Sequence, residues 1–251
     1  MPSERESDAA LVRASPVFAT THWSVVLAAG QTASDSASNA LEELCRTYWY
    51  PLYAYLRRKG YSEHDAQDLT QGFILQLLER RSLEKVQAQK GKFRSFLLAS
   101  LNYFLADDRD RARAQKRGGG RELLSLELNE AECRYASEAT GHDCSPEKLY
   151  ERRWAITLLD CVLARLAREF ADGGKGELFG QLQGFLVEGS GGKSYREIAT
   201  ETGLSEEAIK KAVQRMRRRY YALFRQEIAQ TVASPSDVEE ELRHLCSVFS
   251  A

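Results

Sequence analysis

The stretch 194–219, SYREIATETGLSEEAIKKAVQRMRRR, restricts the fold of this chain more than any other. It predicts a short helix, a Gly-centred turn and a second helix with a basic outer face. In a helix-turn-helix the two helices cross closely, so small and apolar residues fall at fixed offsets around the turn. Ala199 stands where only a small side chain lets the helices approach, and Gly203 follows where the reversal needs a positive φ. Leu204, Ile209 and Ala212 are expected to close the inner seam, with Ser205 capping the second helix. Ser205, Glu206, Glu207, Lys210, Lys211, Gln214, Arg215 and Arg218 are then left outside. Such a face suits a DNA major groove, and it is also what a solvated surface hairpin would carry.

Almost every other organised stretch has helical period. One stripe runs through Leu41, Leu44, Cys45, Tyr48, Leu52, Tyr55 and Leu56, with Pro51 expected to kink or divide its helix. Similar stripes occupy 66–78, 93–105 and 149–170, and no run alternates with period two long enough to argue for a sheet. The predicted class is therefore all-α, with two small helical domains. Residues 1–19 read as a loose leader, 20–117 as the first domain, and 118–148 as a flexible linker with at most a transient helix. The second domain covers 149–230, and 231–251 is an acidic tail whose Val238, Leu242, Leu245 and Phe249 form one apolar face. That tail reads as a loosely docked helix, or as a lid on a basic surface of the same chain.

Net charge is close to zero, 35 Lys and Arg against 36 Asp and Glu, so any polyanion contact must come from local clustering. Such clusters exist: 91–121 holds eight bases and three acids, and 205–225 holds seven and two. The five cysteines are scattered without a CxxC, and no spanning apolar run occurs, which fits a reducing cytoplasm. Cys133, His142 and Cys144 match no common zinc spacing. Four scattered histidines build no Ser-His-Asp or Cys-His set, and no glycine cluster separates a strand from a helix as phosphate loops require. The sequence thus points away from catalysis, cofactors, metals and small-molecule substrates.

Two further constellations stand out. In 62–71, SEHDAQDLTQ, the side chains Asp65, Asp68 and Gln71 recur every three residues, away from the apolar stripe. They read either as dipole-favoured acids of a first helical turn or as a docking surface for a basic partner. In 90–117 cations and aromatics interleave: Lys92, Phe93, Arg94, Phe96 and Tyr103, then Arg109, Arg111, Arg113, Lys116 and Arg117. Rings beside cations suit unpaired DNA, where bases stack and phosphates meet charge. The alternative assigns the phenylalanines to the core and the arginines to a solvated face.

In this order the three blocks resemble bacterial RNA polymerase sigma factors, specifically the compact extracytoplasmic-function group. The string at 65–71 is similar to the family's D-A-x-D-L-x-Q element, KFRSFLLASLNYFLADDRDR to its promoter-melting segment, and 194–219 to its region 4. The likeness covers roughly 40–230 without the linker. It departs from the family's usual residues at Gly72, Phe96, Tyr103, Glu207 and Ala208. It implies that Asp65, Asp68 and Gln71 dock on the polymerase clamp. Lys92, Arg94, Phe96, Tyr103, Arg109, Arg111 and Arg113 would hold and melt the minus-ten element. Ser205, Glu206, Lys210, Lys211, Gln214, Arg215 and Arg218 would read the minus-thirty-five element. The implied partners are core RNA polymerase, promoter DNA and an anti-sigma factor or other regulator. A helix-turn-helix regulator that does not own the polymerase, and a helical adaptor, stay open beside this reading.

Overall fold

The structure, a computed structural model, describes residues 35–78, 92–114, 128–138, 145–186 and 193–250. The fold is all-α: among the described residues every regular element is helical. Four helices come first: α1 (Asp35–Arg58), α2 (Glu63–Leu78), α3 (Phe93–Ala114) and α4 (Leu128–Glu138). The long α5 (Pro146–Asp172) leads to α6 (Gly176–Leu182), which runs into a 3-10 turn at Gln183–Leu186. The helix pair α7 (Tyr195–Thr202) and α8 (Glu206–Thr231) follows, then a 3-10 turn at Pro235–Asp237 and α9 (Val238–Ser250).

The second half of α1 is buried on every side, through Tyr48, Tyr50, Leu52, Tyr53, Ala54, Tyr55 and Leu56. A helix apolar all round belongs inside a bundle, and α1 packs on both α2 and α5. The division expected at Pro51 does not occur, since α1 continues through it to Arg58. Pro51 is buried, and the packing of its neighbours outweighs the one ladder hydrogen bond that a proline removes. Trp154 of α5 fills the centre without exposure. Tyr48 stacks on it at 4.2 Å, with Phe93 at 5.9 Å and Tyr150 at 6.2 Å. Aromatic pairs at such distances add ~0.5–1.5 kcal/mol each beyond simple burial.

The helix α5 starts sharply, with Pro146 in its first turn and the Ser145 hydroxyl accepting the Lys148 amide at 3.2 Å. Its 27 residues extend about 40 Å and serve two cores. Leu149, Tyr150, Trp154, Ala155 and Leu158 join the N-terminal cluster. Val162 and Leu166 join a second cluster with Phe179, Leu182, Ile198, Ile209, Val213, Met216 and Leu223. The division between the two cores therefore falls inside α5. The chain then returns: Ile228, Val232, Val238, Leu242 and Leu245 rejoin the N-terminal cluster. The segment 231–251 is an integral packing element rather than a loosely docked tail.

The expected linker also contains a docked helix. Ala131 of α4 is buried, and Glu132 is gripped from α1 by Arg57 at 2.6 and 3.0 Å and by the Tyr53 hydroxyl at 2.5 Å. Arg57 lies over the Tyr135 ring at 5.2 Å, and Arg134 over Tyr50 at 4.6 Å. Its length of 11 residues is marginal for an isolated helix, so contacts with α1 hold it. The Arg57 guanidinium keeps the Glu132 carboxyl below the usual carboxylate range, with help from Tyr53 and against burial. The leader 1–19, His142 and Cys144 lie outside the described residues.

Candidate nucleic-acid interface

The helix-turn-helix forms with well-satisfied ends. Ser194 and Glu197 make a capping box: the Ser194 hydroxyl accepts the Glu197 amide at 3.3 Å, and the Glu197 carboxylate accepts the Ser194 amide at 2.6 Å. The Ser194 amide and hydroxyl lower the Glu197 pKa. Gly203 ends α7 at φ 70°, the left-handed region that favours glycine. Two residues on, the Ser205 hydroxyl accepts the Ala208 amide at 3.2 Å and starts α8. Ile198, Ile209 and Val213 are buried at the seam, with Ala199 and Ala212 packed against them. Leu204 departs from expectation: it is 44% exposed and does not close the seam. The left-handed turn at Gly203 carries it to the outside, and Ile198 with Val213 fills the space.

All eight residues expected on the outer face of this unit are exposed: Ser205, Glu206, Glu207, Lys210, Lys211, Gln214, Arg215 and Arg218. Lys210 is drawn into an ion pair with Glu206 at 2.9 Å, one turn earlier, which raises its pKa. Among the described residues, Lys211, Gln214, Arg215 and Arg218 have no hydrogen-bond or ion-pair partner in the chain. Their spacing of three and four places them in one stripe. The other arginines of α8 do not prolong it. Arg217 donates to the Phe185 carbonyl at 2.9 Å, Arg219 forms a two-armed pair with Glu169 at 2.7 Å, and Arg225 pairs with Glu239. Each is instead engaged at the surface by an acid or carbonyl from a neighbouring element.

The start of α3 differs from what its sequence suggested. Arg94 is 6% exposed. It donates through Nε to Glu241 at 2.8 Å and through Nη1 to Glu151 at 2.5 Å. Its backbone carbonyl accepts the buried Tyr150 hydroxyl at 2.8 Å. Lys92 stands 3.0 Å from Glu240 and 3.1 Å from Glu241, and His244 Nε2 lies 3.3 Å from the second Glu151 oxygen. Burial opposes both cationic charges, yet these carboxylates outweigh it and raise both pKa values. Of the two residues expected at the minus-ten phosphates, Arg94 is therefore buried and Lys92 half-buried, and both are paired with carboxylates of the same chain. A buried guanidinium needs its countercharge at hand, and α5 with α9 supplies it.

The remaining positions divide. Phe96 is half-buried and packs on Phe93 at 6.0 Å, whereas Tyr103 is 81% exposed. Arg109, Arg111 and Arg113 lie on the helical backbone of α3, with their side chains outside the described residues, as are Lys116 and Arg117. On α2, Asp65 and Asp68 are exposed and Gln71 is half-buried. Asp65 is part of a cap, where the Ser62 hydroxyl accepts its amide at 3.1 Å and donates to its carboxylate at 2.7 Å. Asp68 makes no such contact among the described residues. A Cβ at Gly72 would come within 3.2 Å of the Phe104 ring, so α2 and α3 approach closely there.

The arrangement offers an exposed cationic stripe on α8, an exposed aromatic on α3 and an acidic edge on α2. The sequence offered a lid on a basic surface of the same chain as one reading of 231–251, but not the pairing of Glu151, Glu240 and Glu241 with Lys92 and Arg94. Its one advance signal was three consecutive acids, Glu239 to Glu241, ahead of the apolar face of α9. Among the described residues no group of three His, Cys, Asp or Glu side chains could hold a metal ion, and no helix is long and apolar enough to cross a membrane. No protein-family model, curated protein or solved structure matches this chain.

Proposed function

We propose that this chain is a promoter-specificity subunit of the extracytoplasmic-function sigma type, which binds core RNA polymerase and directs it to a set of promoters. The observation that carries the DNA-binding part is the stripe Lys211, Gln214, Arg215 and Arg218, exposed with no side-chain partner among the described residues on the second helix of a capped helix-turn-helix. Cations held at a protein surface with no internal countercharge are available to phosphates, and a glutamine among them can read a base edge. The polymerase part rests on the ordered resemblance of 65–71, 92–111 and 194–219 to the sigma blocks. In that role Asp65, Asp68 and Gln71 face the clamp, Tyr103 stacks on an unpaired base, and α8 enters the upstream major groove.

The test is reconstitution. Purified chain is mixed with core polymerase and a pool of promoter fragments, and transcripts are mapped to their start sites. Initiation at discrete promoters is the expected result. Sequence-specific DNA binding without initiation would make the chain a helix-turn-helix regulator that does not own the polymerase. Neither activity would leave a helical adaptor.

A further inference from the structure

The three consecutive acids of α9 each hold a cation from elsewhere in the chain. Glu239 takes Arg225 of α8, Glu240 takes Lys92, and Glu241 takes Lys92 and Arg94. Consecutive on the helix, they point about 100° apart, so Glu239 and Glu240 meet their cations at the surface while Glu241 is buried. The seat of α9 is of two kinds. Val238, Leu242 and Leu245 sink into the N-terminal core, while the side chains of Glu239 and Glu240 are 59% and 66% exposed. Exposed ion pairs are weak and salt-screened. A helix of 13 residues has little stability of its own. Its hold is therefore divided between those three apolar side chains and ion pairs for which a polyanion can compete.

We propose that α9 is an intramolecular clasp, holding Lys92 and Arg94 in the free chain and yielding them to DNA phosphates when it lifts. The proposal rests on the reading that the start of α3 meets promoter DNA. It adds that the free chain is a closed form of that reader. Lifting α9 leaves Glu151 on α5 as the remaining countercharge of Arg94, so the guanidinium stays oriented while one side opens.

The test compares the full chain with a Glu239→Gln/Glu240→Gln variant, which loosens the exposed pairs and keeps the buried Glu241. A charge-matched Asp172→Asn/Glu177→Gln variant, altered at exposed positions on α5 and α6, controls for net charge. The probe is a fluorescent mixed-sequence duplex of about 40 base pairs, titrated over a range of salt. The α9 variant should bind about fivefold tighter than the control. Two regained phosphate contacts should steepen its log–log salt slope by about 1.8. Equal affinity and slope in the two variants would overturn the clasp, as would failure of all three proteins to bind at low salt. Hydrogen exchange on the wild-type chain gives a second reading that depends on no substitution. Saturating duplex should speed exchange of the α9 amides, and unchanged or greater protection there overturns the proposal. Polymerase reconstitution reports separately. Tighter binding without promoter transcripts keeps the clasp and removes the sigma assignment, whereas transcripts without tightening do the reverse.

Discussion

The start of α3 and the outer stripe of α8 carry the same kind of charge and differ in what surrounds it. On α8, Lys211, Arg215 and Arg218 stand in solvent, because the face their helix buries in this stretch runs through Ile209, Val213 and Met216. On α3, Lys92 and Arg94 flank Phe93, whose ring is buried against Trp154, so the backbone that seats the ring draws the cations in with it. Acids from α5 and α9 meet them there. Surface cations cost the fold little and remain free to bind a polyanion. Buried ones are committed to the fold, and they reach a ligand only through a conformational change.

The sharpest way to break this comparison is Arg94→Ala. It strips Glu241, which is 1% exposed, of its guanidinium, and removing one partner of a buried pair costs about 3–5 kcal/mol. Urea unfolding should show that loss, and Arg94→Met with Glu241→Met should recover most of it. A single variant as stable as wild type would mean the pairing is not structural. Next in size is Gly203→Ala. Nothing lies within 4 Å of the added Cβ, so the cost is the left-handed backbone alone, about 1–2 kcal/mol. Thermal unfolding reads it, and weaker duplex binding should accompany it as α7 and α8 lose their crossing.

The α4 dock gives a smaller effect that depends on pH. Because the Glu132 pKa is depressed in the folded chain, its stabilisation is present above the ordinary carboxylate pKa. That contribution is lost as pH falls through the depressed value. Acidification should therefore speed hydrogen exchange in α4 before α1, and Glu132→Gln should remove that pH dependence. An exchange profile in α4 that ignores pH would assign its docking to Ala131 and the ring contacts instead. Smallest for stability is Lys211→Ala with Arg215→Ala, which should leave the melting temperature unchanged. The same pair should lower the salt slope of DNA binding by about 1.8. An unaltered slope would remove α8 from the interface and leave the two basic segments alike.

Much of the candidate site was readable in advance where short-range chemistry decides it. Ser194, Glu197, Gly203 and Ser205 act within four residues of their partners, so the capped turn and the register of α8 follow from local sequence. Leu204 was misread because a one-residue change of backbone region moves a side chain from seam to solvent. The α4 helix was taken for linker because its own pattern is weak. It is held by Tyr53 and Arg57, 79 and 75 residues away from Glu132. The same reason hid the true fate of Arg94, whose main partner lies 147 residues further on.

By itself, then, the sequence determined the all-α class, the helix-turn-helix and the cations of α8. Each of these depends on periodicity, capping and a single glycine, which act over a few residues. Only the tertiary structure decided that α5 serves two cores, that α9 closes the N-terminal one, and that Lys92 and Arg94 are paired with acids from elsewhere in the chain. Charge in a sequence has no address until packing sets its distance from water and from the opposite charge, and here those distances join residues from opposite ends of the chain.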